Sequence, residues 1–427
     1  MKREQQWQST LAGVVVSLMI VAIPLRTGKL VGPLDAVTLF IPLALLATLP
    51  LAFKLKPQGA LYKFLAIAMA LFLFWALISI AVVSPHGSNL LTWVRYLGYF
   101  LLIPATGLIT RDKRMRIMIL WALCIAGFGS SLFAQYQFTH HDHYPPPLWF
   151  WESYTIPFRA YSTFENPNFF GELLVVLITA SMALAGYYFK KNKILCIVVS
   201  VMIIDQVAAL YITYTRGSWL ALVLALFIAA LIFKPKLSIP LFIATGLAAL
   251  VPQVRYRFTG MFASGSSADF RLGLWKIAFK GISERPVFGG GLGDFYDVYH
   301  RVVTQYRYLY QGYQHFGAHN SYFQLAAEIG ILGGLFFLAT VVCVVISGVL
   351  IARQYAQDLS TRWMVALLTG GLAGFAFNAL TSDSFQHPRA AIYYFVAAGV
   401  LMGFMRSKPQ PAGSSAEVSA PTTRAAT

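Results

Sequence analysis

The chain has 427 residues, of which 58% are hydrophobic and 11% are charged, whereas a soluble domain usually carries about a quarter charged residues. This composition excludes a soluble globular protein, a disordered chain and a disulfide scaffold. The formal net charge of +17 would favour nucleic acid as the partner of a soluble protein, but in a membrane protein it can record topology alone.

Apolar stretches of about twenty residues, the length of a helix that crosses a bilayer, recur along the chain. They predict twelve helices, which makes the expected fold class an all-α membrane protein with about twelve transmembrane helices. In chain order the predicted helices are 10–25, 34–53, 62–83, 90–109, 115–136, 167–188, 194–212, 217–233, 237–252, 321–351, 363–381 and 389–405.

The placement of basic residues supports this order of helices. Clusters such as Lys54–Lys56, Arg111–Arg116 and Lys190–Lys193 all fall on the side of the N-terminus, whereas the short loops on the other side carry few cations. Such a bias predicts that both termini lie in the cytoplasm. Most of the net charge is then topological, and we expect no nucleic-acid partner.

Two segments on the outer side are too long to be simple connections, and long structured loops often carry function. We therefore expect a catalytic role for the larger of them. The predicted organisation is 1–252 with nine helices and an outer loop at 137–166, a large outer catalytic loop at 253–320, three helices over 321–405, and a disordered cytoplasmic tail at 406–427.

Short amphipathic elements are expected within the large outer loop. Apolar residues at helical spacing between Arg271 and Glu284 predict a helix that lies on the membrane surface or packs on the loop at 137–166. The run from Gly289 to Gly293 predicts a tight turn rather than a phosphate-binding loop, because no strand precedes it.

His319 stands where the polar loop meets an apolar helix, at the bilayer interface. Partial desolvation there would favour neutral imidazole, which suits a general base acting on a substrate hydroxyl. Arg216 lies at an outer helix boundary, against the general charge bias. Its planar guanidinium is suited to bidentate binding of a diphosphate, and the alternative is an arginine that reaches to the interface without a ligand.

The histidines between His140 and His143 could bind a metal ion. A solvated loop is the favoured interpretation, because the sequence offers no second cluster at a spacing that would complete a site. We therefore expect no metal centre in the protein.

Four motifs together resemble the O-antigen ligase/polymerase superfamily of bacterial inner-membrane glycosyltransferases. The most specific is His319-Asn320 followed by Gly330 and Gly333, which fits the pattern His-Asn-x9-Gly-x-x-Gly of the ligases. The others are Asn166-Pro167-Asn168 at a helix start, Thr213-Tyr214-Thr215-Arg216-Gly217 in place of Thr-x-Ser-Arg-Gly, and Arg271 with Trp275 followed by Pro286 and Gly289–Gly293.

The resemblance implies transfer of O-antigen polysaccharide from undecaprenyl diphosphate to a sugar hydroxyl of lipid A-core, without metal or other cofactor and with inversion at the anomeric carbon. The active site would face the periplasm in the inner membrane of a Gram-negative bacterium, in contact with membrane lipid. His319 would be the base or orienter of the acceptor, and Arg216 and Arg271 would clamp the diphosphate. Supporting roles are implied for Asn320, Arg285 and Asp383.

Three other functions remain open at this point. Within the same class these are an O-antigen polymerase and a protein (pilin) O-oligosaccharyltransferase. From another class, a polytopic transporter or flippase would also have twelve helices. A transporter is expected to show midplane charges on broken helices and inverted internal symmetry, neither of which is evident in the sequence, and it leaves the motif-bearing loop unexplained.

Overall fold

The computed structural model describes nine stretches of the chain, and all structural statements concern these residues. Half of the outer loop predicted at 137–166, part of the loop at 253–320 and the predicted disordered tail at 406–427 lie outside them. The described stretches are 2–25, 29–31, 34–52, 60–83, 87–143, 158–164, 166–259, 267–310 and 317–405.

The described chain is helical apart from a small antiparallel pair of strands, β1 (Lys29–Val31) and β2 (Leu34–Asp35). Fifteen α-helices are present in these residues. They are α1 (Lys2–Ala22), α2 (Ala36–Ala52), α3 (Ala60–Val83), α4 (Gly87–Ile109), α5 (Lys113–Thr139), α6 (Pro167–Tyr188), α7 (Lys193–Ile212), α8 (Arg216–Phe233), α9 (Ser238–Ala249), α10 (Pro252–Thr259), α11 (Ser267–Glu284), α12 (Phe295–Gln305), α13 (Ser321–Gln354), α14 (Leu359–Asn378) and α15 (Pro388–Met402).

A helix lies at each of the twelve predicted places, and the helical fold class is confirmed. Six helices among the described residues are long and apolar enough to cross a membrane, namely α3, α5, α6, α7, α8 and α13. The ninth predicted helix is short, with 12 residues in α9. Twelve spans with cytoplasmic termini therefore stay a prediction.

Polar residues mark where several helices begin, because the first backbone N–H groups of a helix need an acceptor. The Asn166 side chain accepts from the Asn168 N–H at the start of α6, and Pro167 occupies the first helical position, where no N–H is needed. Asn192 and Asp358 cap α7 and α14 in the same way. The starts of α6, α7 and α14 are therefore set by local sequence.

Close packing through small residues places α14 at the centre of the bundle. Side chains at Gly370 and Gly374 would collide with the backbone carbonyls of Ala225 and Ala221 in α8, and a side chain at Gly371 would collide with Thr179 in α6. Small residues at such positions let helix backbones approach closely, which is the usual basis of helix association in membranes. The helices α6, α8 and α14 are thereby closely packed against one another.

The large outer segment has a small hydrophobic core of its own. Leu274 and Ile277 of α11 are fully buried against Val298 and Val302 of α12. Ala327 of α13 belongs to the same cluster. The helix predicted between Arg271 and Glu284 is therefore present in α11, and its buried face packs on α12 and α13.

Candidate active site

The helix α13 is broken eight residues after it begins. Ile329 and Gly330 have non-helical backbone angles, and Gly330 has a φ of +78°. A side chain at Gly330 would collide with the carbonyl oxygen of Val287. The first glycine of the His-Asn-x9-Gly-x-x-Gly motif is therefore required by backbone conformation and by close approach of a second segment.

The turn from Gly289 to Gly293 fills this break. The Gly290 N–H donates to the Ala327 carbonyl at 2.9 Å, and the Gly291 N–H donates to the Glu328 carbonyl at 2.7 Å. The Gly293 N–H donates to Glu328 Oε2 at 2.8 Å. These N–H groups bind protein acceptors, so the prediction of a tight turn agrees with the structure. The break in α13 was not predicted.

A neighbouring helix fixes both segments. Trp75 Nε1 of α3 donates to the Ile329 carbonyl at 3.0 Å, and Ser79 Oγ donates to the Phe288 carbonyl at 2.6 Å. Backbone groups freed by a break within a membrane helix need such partners. Hydrogen bonds from α3 therefore stabilise the break in α13, and they also join the outer segment to α3.

Asn320 caps the first half of α13. Its Oδ1 accepts from the Tyr322 and Phe323 N–H groups at 3.0 Å, and its Nδ2 donates to the Leu380 carbonyl at 2.9 Å. The supporting residue predicted at this position thus holds the start of α13 against the loop that follows α14.

That loop wraps around the next residue of α13. The Ser321 N–H donates to the Ala379 carbonyl at 2.9 Å, and Ser321 Oγ accepts from the Phe385 N–H at 3.2 Å. These bonds bring Asp383 to His319, with 3.7 Å between Asp383 Oδ2 and His319 Nδ1. The Asp383 carboxylate also accepts from the backbone N–H groups of His319 and Asn320.

Burial and charge set the protonation of this pair. The His319 and Asp383 side chains are 18% and 12% exposed. Burial, followed by the positive charge of Arg271, lowers the pKa of His319 to about 3. Burial raises the pKa of Asp383 to about 7, while the N–H donors and Arg271 act in the opposite direction. The imidazole is therefore neutral at neutral pH and can accept a proton.

Arg271 is brought to this pair by α11. It lies near enough to influence His319 and Asp383 electrostatically. The position of α11 is fixed on one side by its buried core and on the other by Trp275, whose ring lies 5.7 Å from that of Phe323. The predicted arginine and the predicted histidine thus belong to one site.

Arg216 is the first residue of α8, at the same end of the bundle. The Gly217 backbone lies against the side chains of Asn378 and Thr381, and Asn378 Nδ2 donates to Ser218 Oγ at 2.8 Å. The start of α8 is thereby packed on the segment that leads to Asp383.

Arg159 organises the same region and was missed as a functional residue by sequence reasoning. Its Nε donates to the Thr213 carbonyl at 2.8 Å, and its Nη2 donates to Asn168 Oδ1 at 2.8 Å and to Thr215 Oγ1 at 3.1 Å. It therefore joins the Asn-Pro-Asn element to the segment that carries Arg216. Its position could have indicated it, because Arg159, like Arg216, is a cation on the predicted outer side, where basic residues are few.

Two other residues considered from the sequence, Arg285 and His140, are exposed. Arg285 is exposed just beyond the end of α11. It is about 21 Å along the helix axis from Arg271 at 1.5 Å per residue. His140 is exposed at the end of α5, with its ring 4.3 Å from that of Tyr136.

These features define a multi-pass helical membrane protein whose buried His–Asp pair, with an arginine beside it, lies at one end of the bundle. Residues 199–338 match the family model described as O-antigen ligase, in agreement with the resemblance that the motifs indicated. It supports a glycosyltransferase-like enzyme of O-antigen or glycan assembly. Arg216, Arg271 and His319 fall within the matched segment. No curated protein matches the chain.

Proposed function

We propose that the protein is an O-antigen ligase. It transfers O-antigen polysaccharide from undecaprenyl diphosphate to a sugar hydroxyl of lipid A-core, at the periplasmic face of the inner membrane of a Gram-negative bacterium. The observation that carries the proposal is the neutral, largely buried imidazole of His319 beside both Asp383 and Arg271. The match to the O-antigen ligase family model supports it.

His319 is the general base of the proposed reaction. Its neutral ring takes the proton of the acceptor hydroxyl as that oxygen forms a bond to the anomeric carbon of the donor. The bond from this carbon to the diphosphate oxygen breaks, and undecaprenyl diphosphate leaves with the bonding electron pair. Direct displacement inverts the anomeric configuration, and the leaving diphosphate supplies the driving force without metal or other cofactor.

Arg271 and Arg216 bind the diphosphate of the donor. A guanidinium can donate hydrogen bonds to two phosphate oxygens at once. This interaction is stronger in a site that contains little water. Charge builds on the leaving diphosphate in the transition state, where one preorganised donor is worth about 3 kcal/mol.

Donor binding also strengthens the base. The positive charge of Arg271 lowers the pKa of His319 in the free protein. A bound diphosphate offsets that charge, so the pKa of His319 rises once the donor is in place.

Asp383 holds His319 in the reactive arrangement. Its carboxylate faces Nδ1 and accepts from the His319 backbone N–H, so it stabilises the imidazolium that forms as the proton is taken. Asn320 maintains this contact by capping α13. Arg285 has no role in this scheme.

The acceptor distinguishes the ligase from its alternatives. Purified protein in liposomes with lipid-linked O-antigen is offered lipid A-core, a second lipid-linked repeat or pilin, and product is followed by gel mobility and mass spectrometry. We expect product on lipid A-core. Elongation of the lipid-linked repeat would indicate a polymerase, product on pilin an oligosaccharyltransferase, and movement of donor across the bilayer without a new glycosidic bond a flippase.

A further inference from the structure

A buried carboxyl group that the proposed mechanism does not use lies next to the site. Glu172 is in the second turn of α6 and is 0% exposed. It interacts with the hydroxyl groups of Ser382 and Ser384, and the ionisable groups that face it are Asp383 and Arg271. A carboxyl group within a membrane helix is costly and is expected to have a function.

Several oxygen atoms of this cluster are buried together. In the described residues, both oxygens of Glu172 and the hydroxyl oxygens of Ser382 and Ser384 lack a partner within strict hydrogen-bond geometry. A serine hydroxyl is a donor whose hydrogen can rotate toward a carboxyl oxygen, and Ser382 and Ser384 are the hydroxyl groups that face Glu172. A buried carboxyl group without such donors would be strongly unfavourable.

The two serines flank the residue that holds His319. Ser382 and Ser384 face Glu172, while Asp383 between them reaches His319 Nδ1 and the His319 N–H. The Asp383 loop thus contacts α13 on one side and faces Glu172 on the other.

The position of Glu172 is itself fixed by the neighbouring residue. A side chain at Gly171 would lie 2.8 Å from Ser218 Oγ, and Thr215 is also in contact. The backbone of α6 at this point therefore packs on the residues that flank Arg216. Glu172 stands between the segment of Arg216 and the loop of Asp383.

We propose that Glu172 is a positioning residue of the transferase site: by accepting hydrogen bonds from Ser382 and Ser384, it holds Asp383 against His319. This inference rests on the proposed function and deepens it. Glu172 lies outside the segment that matches the family model, and it acts through Asp383 rather than on substrate.

The test uses the reconstituted transfer reaction of the full chain. Its variants are Glu172→Leu, Glu172→Gln, the pair Ser382→Ala with Ser384→Ala, Asp383→Asn, and Glu172→Leu combined with Asp383→Asn. The matched control is Ser181→Ala, a buried polar residue farther along α6 whose Oγ donates to the Leu177 carbonyl at 2.8 Å.

We expect Glu172→Leu to lower kcat about 100-fold, as a small displacement of a catalytic group does, with the donor KM unchanged. The serine pair should reproduce this loss. Glu172→Gln should stay within about threefold of the wild type, because its carbonyl oxygen accepts both hydroxyl groups. Ser181→Ala should leave kcat unchanged.

A double-mutant cycle separates positioning from general destabilisation. Since Glu172 acts through Asp383, adding Glu172→Leu to Asp383→Asn should lower kcat no further. Additive losses would overturn the proposal, and so would wild-type kcat in the serine pair. If Glu172→Leu does not yield a monodisperse protein, Glu172→Gln and the serine pair decide the question.

His319→Ala distinguishes this inference from the proposed function. Full transfer by His319→Ala would overturn the proposed function itself. An inactive His319→Ala together with wild-type kcat in Glu172→Leu would overturn only the role of Glu172.

Discussion

The Asp383 carboxylate contacts both ends of His319: its Oδ2 lies 3.7 Å from Nδ1 of the ring, and the carboxylate accepts from the backbone N–H. His319 has a φ of +48°, a left-handed conformation that costs a side-chain-bearing residue about 1–2 kcal/mol. Asp383 therefore faces both the backbone and the ring of a residue held in an uncommon conformation.

Asp383→Asn should lower kcat about 100-fold or more, because an amide cannot stabilise imidazolium as a carboxylate does. The measurement is steady-state transfer in liposomes. Asp358→Asn is a matched control, since Asp358 is an exposed cap of α14 that accepts from the Thr361 N–H. Equal kcat in Asp383→Asn and in the wild type would show that Asp383 has no role in transfer.

The pH profile of kcat/KM should depend on the charge at position 271. Asp383 is the group expected to titrate near pH 7, and the positive charge of Arg271 lowers the pKa of both Asp383 and His319. Removing that charge raises both pKa values, so Arg271→Gln should move the acid limb of the profile to higher pH.

Arg271→Lys is the matched variant for this experiment. It keeps the charge, and so leaves the acid limb in place, but it loses the bidentate fork. Both variants should lower kcat about 100- to 1,000-fold. An acid limb that stays in place, or moves to lower pH, in Arg271→Gln would contradict the electrostatic role.

Gly330→Ala should destabilise the protein and impair transfer. The added methyl group meets the Val287 carbonyl oxygen, and the φ of +78° with ψ of 170° is a conformation for glycine, which costs other residues about 1–3 kcal/mol. Thermal unfolding in detergent, followed by tryptophan fluorescence, measures the effect. Gly246→Ala in α9 is the control, because its methyl group meets open space. The same melting temperature in both variants would contradict the requirement for glycine at the break in α13.

Arg159→Lys should raise the donor KM. The guanidinium makes bonds to a carbonyl, an amide oxygen and a hydroxyl that together fix the segment before Arg216, and an ammonium cannot reproduce this planar arrangement. Arg353→Lys at the other end of α13 is exposed and serves as the control. An unchanged donor KM would show that Arg159 has no part in the donor site.

The sequence allowed prediction of the helices because their length and apolar character are local properties. The start of α6 was placed at its first residue, since Asn166 and Pro167 carry the capping signal themselves. The break at Gly330 was not predicted, because apolar residues continue on both sides of it. It depends on the turn at Gly289–Gly293, which is distant in sequence.

His319, Arg216 and Arg271 were named from motifs, but their arrangement required the structure. The approach of Asp383 to His319 depends on how the loop after α14 wraps around Ser321, and nothing local in the sequence encodes that packing. For the same reason the neighbours of Glu172 were not predicted, because the serines that face it follow α14.

The proposed transferase mechanism depends most directly on proton transfer from the acceptor hydroxyl to His319. Transfer of lipid-linked O-antigen to lipid A-core should be measured with His319→Ala and with His140→Ala, an exposed histidine at the end of α5, after both proteins are shown to insert and to remain monodisperse. If His319 is the general base, His319→Ala loses transfer while His140→Ala matches the wild type. Transfer at the wild-type rate by His319→Ala would contradict it.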